Sequence, residues 1–335
     1  MIRVCLVADS EPVDEGLRIV GRYLGAELED ANITLKTVNI RAPLFWNEIR
    51  RFRPDVVHFV LSPSLIGLAI AKLVALMNTS AKSIISAIHP DPIDRRLLRL
   101  FRQDLVLVQA RKSEETFSSA GWRTEFLPNG VDITKFCPVH PEERKKLREQ
   151  FDIPKDKFIL LHLASLKRER NLKIFARLQR VENNQVIIIG REHEKVDEST
   201  LSLLRDSGCM VWIKHFPNIE EIYNLADCYV FPVAHRGFCI ETPLSVLEAM
   251  SCDIPTITTR FGALPRLFKD TRDVFFADND DEIDQAIETV KKGGARMRPR
   301  EAVLHYSWKH VTDRLLHIYE RLLGESPGTL KSRSR

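Results

Sequence analysis

Short apolar runs alternate with helical patterns along this 335-residue chain, and they do so in two successive series. The first series runs Met1–Ala8, Leu35–Ile40, Pro54–Val60, Ser83–Ile88 and Leu105–Gln109, with helical patterns at Leu17–Leu28, Leu65–Met77 and Ser113–Ala120. The second runs Phe158–Leu163, Val186–Ile189, Met210–Ile213, Cys228–Pro232 and Thr256–Thr258. Runs this short and this continuously apolar are strands buried on both faces, the mark of a parallel sheet. Parallel neighbours need a crossover, so helices must cover both faces of each sheet. A chain of this length also exceeds one comfortable core. The pattern predicts an α/β protein of two Rossmann-like, doubly wound domains, residues 1–148 and 149–305, with the charged helix Pro141–Phe151 at the boundary. No repeat relates the halves; they share architecture alone.

Composition narrows the chemistry little. Net charge is +4 at 44% hydrophobic and 29% charged residues, which suits anionic substrates or an anionic membrane surface and gives no reason to expect nucleic acid. Six scattered cysteines, with no C-x-x-C pair and no histidine at zinc spacing, read as reduced thiols. Met1–Ser10 reads as a strand rather than a signal peptide, and no apolar run reaches the length needed to cross a bilayer. The expectation is a cytoplasmic protein, soluble or peripheral. In Asp94–Gln103 a helical wheel puts Leu97, Leu98, Leu100 and Phe101 on one face and Arg95, Arg96, Arg99 and Arg102 on the other. That face either packs on its own domain, leaving the arginines solvated, or lies on anionic lipid.

In doubly wound sheets ligands bind outside the carboxyl ends of the strands, so the loops there hold the candidates. The fullest is the loop Ala234–Pro243, which opens a helix at Leu244–Met250: Gly237 permits close backbone approach, the helix start offers N–H groups to a phosphate, and Glu241 and Glu248 stand with six residues between them. Leu244, Val246, Leu247 and Met250 would serve equally as the core face of any helix on a sheet. Gly16 follows the first strand as a ligand contact or a plain turn glycine. His89 follows the fourth, facing a ligand or capping a helix. Lys167, Arg168 and Arg170 follow the first strand of the second series, where by themselves they read as a solvated helix start. No G-x-G-x-x-G is present.

Taken together these segments resemble the family 4 glycosyltransferases of the GT-B fold. Gly237-Phe238-Cys239 and Leu247-Glu248-Ala249-Met250 match that family's donor loop, with Cys239 replacing a glycine and Glu241 one residue closer to Glu248 than in its E-x7-E element. Pro128-Asn129-Gly130-Val131-Asp132 with Phe136 and Pro138 matches the segment that closes the family's first domain; here Asn129-Gly130 predicts a turn with positive φ, Phe136 an anchor, and Asn129–Asp132 a lining of the cleft. Aligned on Leu166, Ser165 takes the place of the arginine and Arg170 that of the lysine in its G-R-L-x-x-x-K-G turn, and Gly190-Arg191 resembles its V-G-x-G turn without the second glycine. His305–Trp308 and the helical series to Leu322 resemble its terminal helix, so that residues 306–323 would cross back to the first domain, ahead of a basic tail at 324–335.

The resemblance implies two domains facing across a cleft. It implies retaining transfer of a sugar from a UDP- or GDP-sugar, held by the second domain, to a hydroxyl of a glycan, lipid-linked or small-molecule acceptor held by the first. No cofactor and no metal would be needed, since the nucleotide-sugar is itself a substrate. His89, Arg170 and Glu241 would be catalytic. Gly16, Ser165, Lys167, Arg168, Gly190, Gly237, Phe238, Cys239, Ile240, Leu244 and Glu248 would bind the donor, Glu248 through its ribose hydroxyls. The departures at Ser165, Cys239 and Glu241 leave open a non-catalytic GT-B subunit supporting a partner transferase, and a nucleotide-sugar epimerase is a further alternative.

Overall fold

The computed structural model describes residues 1–9, 16–89, 93–163, 165–167, 170–192, 196–233, 239–270, 272–293 and 297–324. The chain forms two compact units. Met1–Gly130, Ile240–Thr242 and the chain from Trp308 make the first, and Val131–Cys239 with Pro243–Ser307 the second.

The first unit runs β1 (Arg3–Ala8), α1 (Gly16–Glu29), β2 (Thr34–Asn39), α2 (Phe45–Phe52), β3 (Val56–Leu61), α3 (Leu65–Met77), β4 (Lys82–Ala87), α4 (Arg95–Leu100), β5 (Leu105–Val108), α5 (Arg111–Ser119) and β6 (Thr124–Phe126). Its strands form one parallel sheet, ordered β2-β1-β3-β4-β5-β6. β3 is buried along its whole length, as its unbroken apolar run requires. Helices α2 to α5 share one core with the sheet, where Phe59, Ile85 and Val106 cluster with Leu68, Val74, Leu98 and Phe117. Each such side chain contributes roughly 1.5–3 kcal/mol on full burial.

The last helix of the described chain, which takes the label α14 below (Trp308–Gly324), covers the other face with α1. Its buried residues Val311, Leu315, Ile318 and Leu322 recur at helical spacing, and Trp308 stacks on Tyr23 at 5.2 Å. Tyr319 reaches the sheet, its hydroxyl 2.6 Å from His58 Nδ1, while His58 Nε2 lies 2.8 Å from the Ser86 hydroxyl. Burial pushes His58 down to about 3. Gly130 does not carry the positive φ expected of it; its side chain is excluded by proximity, because a Cβ there would lie 2.7 Å from Trp308 Cα.

The second unit runs α6 (Pro141–Gln150), β7 (Phe158–Leu163), α7 (Lys173–Gln179), β8 (Asn184–Gly190), α8 (Glu198–Asp206), β9 (Met210–Ile213), α9 (Ile219–Leu225), β10 (Cys228–Phe231), α10 (Leu244–Ser251), β11 (Thr256–Thr258), α11 (Leu264–Leu267), β12 (Phe275–Phe276), α12 (Asp280–Lys291) and α13 (Pro299–Val303). Its parallel sheet is ordered β12-β11-β10-β7-β8-β9, so the chain reverses direction across the sheet between β7 and β10. The unit begins at Val131, earlier than the boundary expected at residue 148. α6 belongs to it because Arg144 and Arg148 both reach Asp227 and carbonyls of Asn224, Leu225 and Ala226. Phe136 anchors the linker as expected, buried edge-on to Tyr223 at 5.7 Å. Among the described residues no helix is long and apolar enough to cross a membrane.

Candidate active site

In the second unit the chain reverses direction between β7 and β10, and sheets of this kind bind ligands at the carboxyl ends of the strands beside such a switch point. Ser165 and Arg170 sit there, directly after β7, both buried. Ser165 Oγ and Arg170 Nε have no hydrogen-bond partner, and among the described residues no carboxylate pairs with the Arg170 guanidinium. One strand turn earlier, the buried His162 places Nδ1 2.7 Å from the Val230 carbonyl, which fixes the proton on that nitrogen and leaves Nε2 as an unpartnered acceptor. Burial foremost, opposed by the Val230 hydrogen bond and aided by the charge of Arg170, pushes His162 down to about 3. Lys167 is exposed beside them. A buried cation and a buried hydroxyl without partners suit an incoming anion.

Gly190 ends β8, and a Cβ there would lie 2.8 Å from Leu166 Cδ1 and 3.3 Å from Ile213 Cγ1. Its bare backbone lets Leu166 pack down and seats Ser165 and Lys167 on either side. Leu244 opens α10, and Glu248 follows one turn later, half-buried. The Tyr223 hydroxyl of α9 donates to Glu248 Oε2 at 2.7 Å, and burial, then the Glu248 charge, hold the Tyr223 phenol well above its ordinary range. Tyr223 was not legible as a site residue, since its place in a helical apolar pattern signals only core; His162, inside an apolar strand, was hidden in the same way.

The first unit gathers Gly16, His89, Ile240 and Glu241. A Cβ on Gly16, the first residue of α1, would meet Ile240 Cδ1 at 3.0 Å. His89 lies two residues past β4, half-buried, with its carbonyl accepting from the Ser62 hydroxyl. Glu241, expected to be catalytic, engages its carboxylate within the first unit. It is 7% exposed, its N–H donates to the Ile88 carbonyl, and its carboxylate accepts from the Ala110 N–H at 3.0 Å and from the Ser113 hydroxyl. α5 starts with Ala110 at its cap, which has no side-chain acceptor of its own, and the Glu241 carboxylate supplies one where the helix dipole favours negative charge. Thr242 completes the attachment: its N–H donates to Gln109 Oε1, and its carbonyl accepts from Asn129 Nδ2. Asn129 is thus buried and bonded rather than a cleft lining. Arg168, Gly237 and Phe238 lie outside the described residues; Cys239, half-buried, packs against the second unit's core.

The comparisons with known proteins agree with this architecture. Residues 143–303 match the family described as glycosyl transferases group 1. The D-inositol 3-phosphate glycosyltransferase of Arthrobacter sp. (strain FB24) is 29% identical over 214 residues, 58% of this chain and 49% of that protein, so the chain spans about half the length of this relative. The GDP-mannose-dependent alpha-mannosyltransferase of Mycolicibacterium smegmatis is 25% identical over 313 residues, 87% of this chain and 80% of its own. Among solved structures, Anabaena HepE in complex with UDP and glucose superposes with a TM-score of 0.72 at 13% identity, covering 96% of this chain and 100% of that one; the likeness is one of fold, and that fold is GT-B. The match to the glycosyl transferases group 1 thus lies in residues 143–303, within the second unit, and that segment is what the chain shares with the family.

Proposed function

We propose that the chain is a retaining glycosyltransferase that moves a sugar from a UDP- or GDP-sugar to an acceptor hydroxyl. The observation that carries this reading is the buried, unpaired Arg170 beside the unpartnered Ser165 hydroxyl after β7. In such a transfer the bond from the anomeric carbon to the β-phosphate oxygen breaks, and negative charge grows on the departing diphosphate. The Arg170 guanidinium and the Ser165 hydroxyl meet that charge, in a setting where fixed donors act more strongly than in water. Lys167 and Arg168 add cations at the same turn. Glu248, oriented by Tyr223, accepts the ribose hydroxyls, and Leu244 opens the helix behind the nucleotide. The acceptor hydroxyl attacks from the face the diphosphate leaves, and its proton passes to the departing phosphate oxygen, so configuration is retained without a carboxylate nucleophile or a metal. The second unit holds the donor and the first the acceptor, and His89 is the first unit's candidate for the reaction. Glu241 has no part in this scheme, because its carboxylate holds α5.

A thermal-shift screen of UDP, GDP, ADP and CMP identifies the nucleotide, since the cognate one raises the melting temperature by mass action. With that donor, Arg170→Ala is expected to lower kcat by a factor on the order of 10² to 10³ and to change KM much less, as when one preorganised donor is lost from a transition state. Full activity in that variant would move the diphosphate to Lys167 or Arg168. Tight nucleotide binding with no sugar transfer by the wild type would make the chain a supporting subunit.

A further inference from the structure

The outward face of α3 is apolar where a surface helix is ordinarily polar. Inward, Leu68, Ala71 and Val74 are buried in the first unit's core. Outward, Ile66 is 74% exposed, Leu73 56% and Leu76 62%, with Leu65 beside them and Ala69 completing a stripe at helical spacing. The neighbouring α4 continues this surface. The two helices follow adjacent strands on one side of the sheet, and Lys72 Nζ of α3 donates to the Arg102 carbonyl just beyond α4 at 3.0 Å. Of the four apolar residues expected to pack there, Leu98 is buried and Phe101 half-buried, while Leu97 is exposed and Leu100 is 66% exposed. Arg95, Arg96, Arg99 and Arg102 are all exposed around them, and among the described residues no carboxylate forms an ion pair with any of the four.

We infer that this face of the first unit docks on an anionic lipid surface, α3 lying in the plane of the interface with Ile66, Leu73 and Leu76 in the acyl boundary and the arginines of α4 among the headgroups. Charge complementarity selects this occupant. A protein partner matching the apolar stripe alone would not call for a rim of unpaired arginines, whereas a bilayer offers hydrocarbon and negative charge side by side. Thirteen residues of helix extend about 20 Å, too short to cross a hydrocarbon core of about 30 Å, so α3 can lie on the membrane and not through it. The inference is independent of the transferase reading, since none of these residues belongs to the donor site.

The test is co-sedimentation of the full chain with vesicles of phosphatidylcholine containing phosphatidylglycerol, and with phosphatidylcholine alone. Binding is expected on the anionic vesicles and is expected to weaken with salt. Arg95→Gln with Arg99→Gln should lower partitioning roughly 30-fold, at about fivefold per charge. Ile66→Gln with Leu73→Gln should lower it at least about tenfold, with melting temperature and nucleotide shift unchanged because both side chains are exposed. Equal binding to neutral vesicles, or anionic binding that survives both double variants, would overturn the inference. So would a concentration-dependent dimer, seen by sedimentation velocity and abolished by Ile66→Gln with Leu73→Gln in a chain that ignores vesicles; a second copy would then be the occupant.

Discussion

Replacing Arg170 by methionine should make the unliganded protein more stable while removing its response to nucleotide. The guanidinium is 9% exposed, its Nε has no partner, and the neighbouring Ser165 hydroxyl and His162 Nε2 are unpartnered as well. A buried donor left unsatisfied costs about 1–3 kcal/mol, and an unpaired charge adds to that. Methionine keeps the length of the aliphatic stem, carries no charge, and fits irregular space. Removing the penalty should therefore raise the melting temperature of the second unit by roughly 2–12 °C, at about 2–4 °C per kcal/mol for a domain of this size. A free nucleoside diphosphate already bears on its β-phosphate the charge that the sugar donor develops only as its bond breaks; at a hundred times its Kd it stabilises the wild type by about 2.7 kcal/mol, and most of that gain should vanish in Arg170→Met. Scanning calorimetry of both proteins, with and without the nucleotide, reads the two effects together: the variant melts higher when empty and gains less when loaded. An empty variant that melts below the wild type would mean the guanidinium is already compensated, and an undiminished nucleotide shift would mean that Arg170 does not meet the phosphates. Either result refutes the reasoning from burial.

Two further outcomes follow from other buried groups. His58 and His162, one in each unit, are both held near 3 against an ordinary value of 6.5, so the unfolded chain binds more protons between those limits and stability must fall as the pH drops through that window. By pH 5 each should have cost about 2 kcal/mol relative to pH 7, and urea unfolding midpoints that stay level over that range would contradict it. Glu241→Ala strands the Ala110 N–H and the Ser113 hydroxyl and should lower stability by about 1–3 kcal/mol, with kcat within a fewfold of wild type well below the melting temperature; a hundredfold loss of kcat in the folded variant would restore a catalytic role to Glu241.

The sheets were legible because buried parallel strands announce themselves as short apolar runs. Phe158–Leu163, Met210–Ile213 and Thr256–Thr258 form at the residues the pattern marks. Thr124–Phe126 and Phe275–Phe276 were not, being edge strands of three and two residues, too short for any periodicity to register. The charged helix Pro141–Gln150 looked like a linker because its surface is polar, yet Arg144 and Arg148 fasten it to the second unit through Asp227, 79 or more positions away in sequence. Gly130 was read as a turn residue from its Asn-Gly neighbourhood, while its actual constraint is Trp308, a contact only the closed fold creates. Glu241 shows the same limit at the site: its spacing from Glu248 suggested a shared ligand, but its side chain is claimed by α5, whose alanine cap cannot serve itself.

The two units treat their buried polar groups differently, and that difference bears on where chemistry resides. At the strand ends of the first unit polar groups bond one another, the Thr242 hydroxyl excepted: Gln109 donates to Asn129 Oδ1, Asn129 to the Thr242 carbonyl, and Glu241 accepts from Ala110 and Ser113. At the end of β7, three side chains within nine positions, His162, Ser165 and Arg170, each keep a buried polar atom without a partner, whereas in the first unit Gln103, Thr242 and Thr312 each keep one and stand far apart in the sequence. A lone unsatisfied atom can be a small packing defect. Three within nine positions at the end of one strand, beside the switch point of a doubly wound sheet, impose a cost that folding alone would remove, because an apolar residue at any of these positions would avoid it. Their retention is accounted for if a ligand supplies the missing partners, with oxygen acceptors for the guanidinium and the Ser165 hydroxyl. A diphosphate provides such oxygens in one group.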